Sequence, residues 1–86
     1  MVERVSKTET EVDEIFTVDL EYIKKIRIKK GYSLQKMVNL MGILDKTKYY
    51  RREMGEVNFK PEELPVVALV LEIPLEKIFK KEVSIK

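Results

Sequence analysis

"SLQKMVNLMGILDKTKYYRREMG", Ser33 to Gly55, decides how this 86-residue chain is read. Its apolar residues Leu34, Met37, Val38 and Met41 fall at i, i+3, i+4 and i+7, the spacing that lines one face of an α-helix. Ser33 stands where an N-cap belongs, because its hydroxyl can accept from a backbone N–H of the first turn. Gly42 stands at the other end, where a left-handed residue stops a helix. After Ile43 and Leu44, Asp45 is the next residue able to cap. The following segment predicts a helix from Lys46 to about Met54, with Gly55 as its stop. The unit is helix, short turn, helix. Its second helix carries Lys46, Lys48, Arg51 and Arg52 beside two adjacent tyrosines, Tyr49 and Tyr50. Either it is an ordinary solvated basic face, or it is built to lie against an anion.

Upstream, Asp19 can cap an earlier helix with Leu20, Ile23 and Ile26 on one stripe, Ile28 off it, and Lys29-Lys30-Gly31 at its end. Downstream, a helix from about Pro61 or Glu62 to Leu71 turns Leu64, Val67, Ala68 and Leu71 inward. Pro65 argues for a late start, since proline is tolerated only in a first turn. Pro74 opens a short fifth helix with Leu75, Ile78 and Phe79. "EIFTVD", Glu14 to Asp19, has β character and is a short strand or an extended lead-in. The tail "EVSIK" is a candidate partner strand for Ile15–Val18. The expectation is an all-α, five-helix domain over residues 19–81, preceded by a flexible or extended acidic arm, 1–18, and followed by a tail, 82–86.

Composition narrows the classes. With 44% apolar and 37% charged residues the chain suits one small domain. It has no cysteine and no histidine, so disulfides, thiolate metal sites, and the commonest general base and zinc ligand are all missing. No paired carboxylates or activated lysine are spaced for catalysis, so an enzyme is not expected, nor any cofactor, metal or small-molecule ligand. The longest apolar run, Leu64–Leu71, is too short to span a bilayer. The opening residues lack the apolar stretch of a secretory signal, so no membrane is expected as partner and the location expected is cytoplasmic. Residues 1–18 hold two bases and five acids, a net of −3, whereas residues 19–86 hold fifteen bases and ten acids, a net of +5. A basic body behind an acidic leader points to an anionic partner for the body.

These residues together resemble the Cro/cI (Xre-type) helix-turn-helix family of phage and bacterial repressors, from about Leu20 to Phe79. The matching pieces are Ile26-Arg27 in the first helix, "SLQKMVNLMG" in the second, Glu53-Met54-Gly55 closing the third, and "LPVVALVLEIPLEKIF" in the last part. Four departures stand beside them. The turn is one residue longer than usual, Leu34 replaces a frequent glutamine, Val38 replaces a small alanine, and Arg52 takes an apolar position. Capping at Asp45 puts Tyr49 in the buried position and Glu53 in that of the family glutamate. Capping at Leu44 would put Lys48 in the core, at a cost of several kcal/mol for an unpaired charge.

The resemblance implies a lambda-repressor-like fold and a sequence-specific transcriptional regulator of double-stranded DNA. Tyr49 and the stem of Arg52 then point inward, while Lys46, Thr47, Tyr50 and Arg51 face outward for base contact, in a major groove about 12 Å wide. Arg51 suits guanine O6 and N7, and Thr47 and the Tyr50 ring suit a thymine methyl. Gln35 and Lys36 near the second helix's N-terminus, Lys48 at the edge and Lys60 in the following loop suit phosphate. The remaining helical lysines read as solvated surface. Arg27 and Glu53 match the family's arginine–glutamate pair, whose role is structural. The apolar surplus near Ile73, Leu75, Ile78 and Phe79, with Val83 and Ile85 beyond, has two uses open to it. One is the twofold contact of a homodimer, with recognition helices about 34 Å apart; the other is closing the monomer's own core. The competing functional class is a protein-interaction module whose basic helix binds an acidic protein.

Overall fold

The computed structural model describes residues 14–83. In chain order these form β1 (Glu14–Val18), α1 (Leu20–Lys29), α2 (Leu34–Met41), α3 (Lys46–Glu53), a 3-10 turn (Pro61–Glu63), α4 (Leu64–Leu71), a second 3-10 turn (Leu75–Ile78) and β2 (Phe79–Val83). Most of the expected arm, residues 1–13, and the end of the expected tail, with Ile85, lie outside the described residues. The fold is mostly helical with a small two-stranded sheet.

The first three helices begin where a short polar side chain can take an unsatisfied N–H. Asp19 Oδ1 accepts from the Tyr22 N–H at 3.1 Å, Ser33 Oγ from Lys36 at 3.0 Å, and Asp45 Oδ1 from Lys48 at 2.8 Å. α2 ends on Gly42 at φ 74°, whose N–H donates to the Val38 carbonyl. The chain then runs through Ile43 and Leu44 directly into the Asp45 cap. Such a connection keeps α2 and α3 in contact, and α2 packs against α4 as well.

The stripes read from the sequence converge on one core. Ile23, Met37, Tyr49, Val67, Leu71 and Ile78 are fully buried, joined by Val38, Met41, Ala68 and Phe59. The Phe59 ring meets Tyr49 edge-on, with centroids 5.9 Å apart at 63°. In α4 the stripe is Val67, Ala68 and Leu71, and Pro65 sits in the first turn, where its missing N–H costs nothing. Ile28, off the stripe of α1, is exposed.

The expected fifth helix is corrected by the structure. Only Leu75–Ile78 coil, as a single 3-10 turn, and from Phe79 the chain is extended. The strand placed in the tail begins three residues earlier than expected, and β1 pairs with it antiparallel, Val18 opposite Phe79 and Glu14 opposite Val83. The reason is a competition for backbone partners. The Asp19 N–H takes the Ile78 carbonyl at 2.7 Å, just where the ladder begins, and a continuing helix would leave the backbone of Glu14–Val18 unpaired. Val18 and Phe79 lay the sheet against the core, while Ile15 and Phe16 stay exposed. Ile78, offered as a dimer residue, is instead fully buried in the monomer core. Ile73 and Phe79 pack partly against that core, and Leu75 remains exposed. Among the described residues no helix is long and apolar enough to cross a membrane.

Two glycines separate backbone strain from crowding. A Cβ at Gly42 would meet open space, whereas one at Gly55 (φ 86°) would lie 3.3 Å from Leu20 Cδ1. Gly42→Ala is expected to cost only the left-handed penalty, about 1–2 kcal/mol, and Gly55→Ala more. Urea denaturation of both variants checks the order; the reverse order would contradict this packing of Gly55 on α1.

Candidate nucleic-acid interface

α3 divides its residues sharply. Tyr49, Arg52 and Glu53 are buried, while Lys46, Thr47, Lys48, Tyr50 and Arg51 are exposed. The buried side is unusually polar, and each of its groups has a partner. Glu53 accepts from Arg27 Nε at 2.9 Å and from Arg27 Nη2 at 3.0 Å, a two-pronged contact with α1. The Tyr49 hydroxyl donates to the same carboxylate at 2.7 Å. Arg27 also donates from Nη1 to the Tyr32 carbonyl at 2.7 Å, closing the turn after α1. The hydrogen bond to Glu53 is the main cause raising the Arg27 guanidinium above its ordinary value. Burial, then the hydrogen bond to Glu53, holds the Tyr49 hydroxyl far above the usual tyrosine range.

Arg52 has its own buried partner. Glu63, 4% exposed, accepts from Arg52 Nε at 2.7 Å and from the Lys60 backbone N–H at 2.9 Å. Arg52 also donates to the Lys48 carbonyl at 3.2 Å. One carboxylate thus anchors α3 and starts the turn that leads into α4. Sequence reasoning missed Glu63. The available signal was Pro61 with an acid two residues on, a helix-start pattern, together with an arginine at an inward position that needs a counter-charge.

The outward residues gather into two concave regions. Leu34, Lys46, Thr47 and Tyr50 line a depression of about 260 Å³ between the first turn of α2 and the first half of α3. Lys48, Arg51 and Lys60 come together along a groove of about 490 Å³ that also includes Ile43, Leu44, Glu62 and Glu63. Gln35 and Lys36 are exposed on the first turn of α2 and line neither; the Gln35 amide donates to Asn39 Oδ1 at 3.0 Å. Arg51 Nε meets Glu56 at 3.3 Å with both side chains more than half exposed. An exposed pair of this kind is worth about 0–1 kcal/mol, so Arg51 is held only loosely. Compared with protein-family models, curated protein sequences and solved structures, the chain finds no significant match.

The buried pairs make two predictions. Glu63→Ala should cost about 3–5 kcal/mol by leaving Arg52 buried without a counter-charge, and the double variant Arg52→Leu/Glu63→Leu should cost less than Glu63→Ala alone. Denaturation midpoints of the set decide it; a near-silent Glu63→Ala would mean the pair is solvated. For Tyr49, a raised folded pKa contributes stability that is complete below about pH 10 and is lost as pH rises beyond it, because only the unfolded chain then sheds the proton. The stability gap between the parent and Tyr49→Phe should therefore narrow above about pH 10, read from urea midpoints across that range.

Proposed function

We propose that this chain is a sequence-specific DNA-binding transcriptional regulator of the Cro/repressor kind, with α2 and α3 as its helix-turn-helix and α3 entering the major groove of an operator. The observation that supports this best is the division of α3. Its inward charges are all neutralised within the fold, so the outward side offers Lys46, Thr47, Tyr50 and Arg51 as a basic, hydrogen-bonding strip. Lys46 and Thr47 lie in the first turn, which meets base edges first in this docking mode. Arg51 follows one turn after Thr47 and suits guanine. Gln35, Lys36, Lys48 and Lys60 flank the strip as phosphate ligands, Lys36 aided by the positive end of the α2 dipole. In this reading the domain is lambda-repressor-like, with its last helix shortened to the Leu75–Ile78 turn. It acts in the cytoplasm without a cofactor or catalytic step, and the exposed Leu75 with Phe79 and Ile73 forms a homodimer contact.

The protein-interaction reading draws on the Arg51–Glu56 pair and on exposed Ile43 beside the basic groove. These suit a mixed apolar and acidic protein surface better than a row of phosphates. Salt separates the two readings. A DNA complex neutralising about six to ten phosphates should lose roughly 10³–10⁵ in affinity between 50 and 200 mM salt.

Selection of bound duplexes from a random pool, followed by titration, tests the proposal. Arg51→Ala should flatten the preference at one base position by about 1–3 kcal/mol, whereas Lys36→Ala should weaken all duplexes alike and lower the salt slope by about one. If both variants bind the selected operator as the parent does, α3 is not the reading helix. Phe79→Glu should shift a dimeric parent to monomer in sedimentation; an unchanged dimer would remove this surface from the contact.

A further inference from the structure

We infer that the groove lined by Lys48, Arg51 and Lys60 is the docking site of the chain's own acidic leader, residues 8–13, so that the leader and an anionic partner compete for the same three cations. The competition rests on the DNA-reading proposal above; the docking does not.

The groove combines charge with carbon. Lys48, Arg51 and Lys60 are exposed there, against one exposed acid, Glu62. Arg52 and Glu63, which also line it, neutralise each other. Beside the cations Ile43 is 50% exposed and Val57 39% exposed. A row of phosphates satisfies the cations but lays nothing apolar on Ile43 and Val57, whereas an acidic peptide with an apolar residue does both. Arg51 already takes a carboxylate of its own chain, that of Glu56 at 3.3 Å, in a solvated pair that another carboxylate can replace.

Residues 8–13, Thr-Glu-Thr-Glu-Val-Asp, supply that chemistry. They hold three carboxylates, Glu9, Glu11 and Asp13, no cation, and the apolar Val12. Spaced two apart, the carboxylates fall on one side of an extended segment and Val12 on the other, and a concave site contacts both sides.

The attachment point brings the leader to the groove. It runs directly into β1 at Glu14. Phe16, Thr17 and Val18 of that strand line a hollow of about 420 Å³ together with Arg52 and Val57. Arg52 and Val57 line the basic groove as well, so the two concavities share a wall. Six extended residues reach about 20 Å. A short tether also holds its segment at an effective concentration in the millimolar range, so exposed ion pairs too weak to retain a free peptide suffice. The cations covered in this way are those that the DNA reading assigns to phosphate, Lys48 and Lys60, and to guanine, Arg51. A duplex must therefore displace the leader to use them.

The test uses the full chain. Because the sequence has no cysteine, Ser6→Cys takes a nitroxide spin label at one place. Ile43 and Lys48 line the groove and not the hollow beside β1. Their backbone amide signals should broaden at about 20 mM salt and recover at about 500 mM, where the screening length falls below about 5 Å. Neutralising the leader by Glu9→Gln/Glu11→Gln/Asp13→Asn, or the groove by Lys48→Gln/Lys60→Gln, should abolish the broadening. Without the label, the neutral leader should bind the best duplex from the random pool about tenfold tighter than the parent at low salt, the effect of losing three exposed ion pairs. That gain should vanish in the groove variant. No broadening at Ile43 and Lys48, or broadening that survives salt and both sets of changes, would overturn the docking. A gain in affinity that persists in the groove variant would be net-charge attraction, and would overturn the competition, as would equal affinities of parent and neutral leader. A chain that docks its leader yet enriches no duplex would uphold the docking and overturn the DNA reading.

Discussion

The orientation of α3 depends on one carboxylate. Glu53 is the last residue of that helix, where the dipole disfavours a negative charge, and it is nearly inaccessible to solvent. It is kept there by three hydrogen bonds, two from Arg27 and one from Tyr49. Those bonds have fixed directions, unlike apolar contact, so they determine how α3 crosses α1 and not merely that the two touch. Arg27 sits in the last turn of α1, where a cation is favoured, and its remaining nitrogen holds the Tyr32 carbonyl. The helix that the functional reading needs is therefore positioned through its buried end.

The Arg52–Glu63 pair repeats the device against the other neighbour. Because Glu63 also accepts from the Lys60 N–H, the segment that carries Lys60 starts its turn from the same carboxylate that braces α3. Ion pairs buried this deeply add little net stability compared with apolar packing, but they penalise any arrangement that separates them. Two such pairs on one eight-residue helix leave its outer face as the side able to engage a partner. There the ion pair of Arg51 with Glu56 is solvated and easily exchanged.

The sheet plays a different part. It joins the two ends of the described chain, laying Val18 and Phe79 on the core and leaving Ile15 and Phe16 in solvent. A two-stranded ribbon is marginal alone, and here the Asp19–Ile78 backbone bond and the packing of Phe79 tie it down. Its place on the body also means that residues leading into α1 are structural from Glu14 onward.

Much of this was legible in the chain. The caps Asp19, Ser33 and Asp45, the stops at Gly42 and Gly55, and the inward stripes of α1, α2 and α4 are decided within one or two helical turns, so local spacing suffices to find them. The outward set on α3 follows from the same periodicity with Asp45 as its cap. What local pattern could not reveal was pairing across distance. The role of Glu63, the start of β2 at Phe79 in place of a longer helix, the burial of Ile78 and the hollow against Leu34 each depend on which surface another element brings up. Spacing along the chain fixed the helices and their faces, because those interactions span three or four residues. Only tertiary structure could choose partners for Arg52 and for the β1 backbone, because a buried charge or an open strand accepts whichever complement the packed core places beside it.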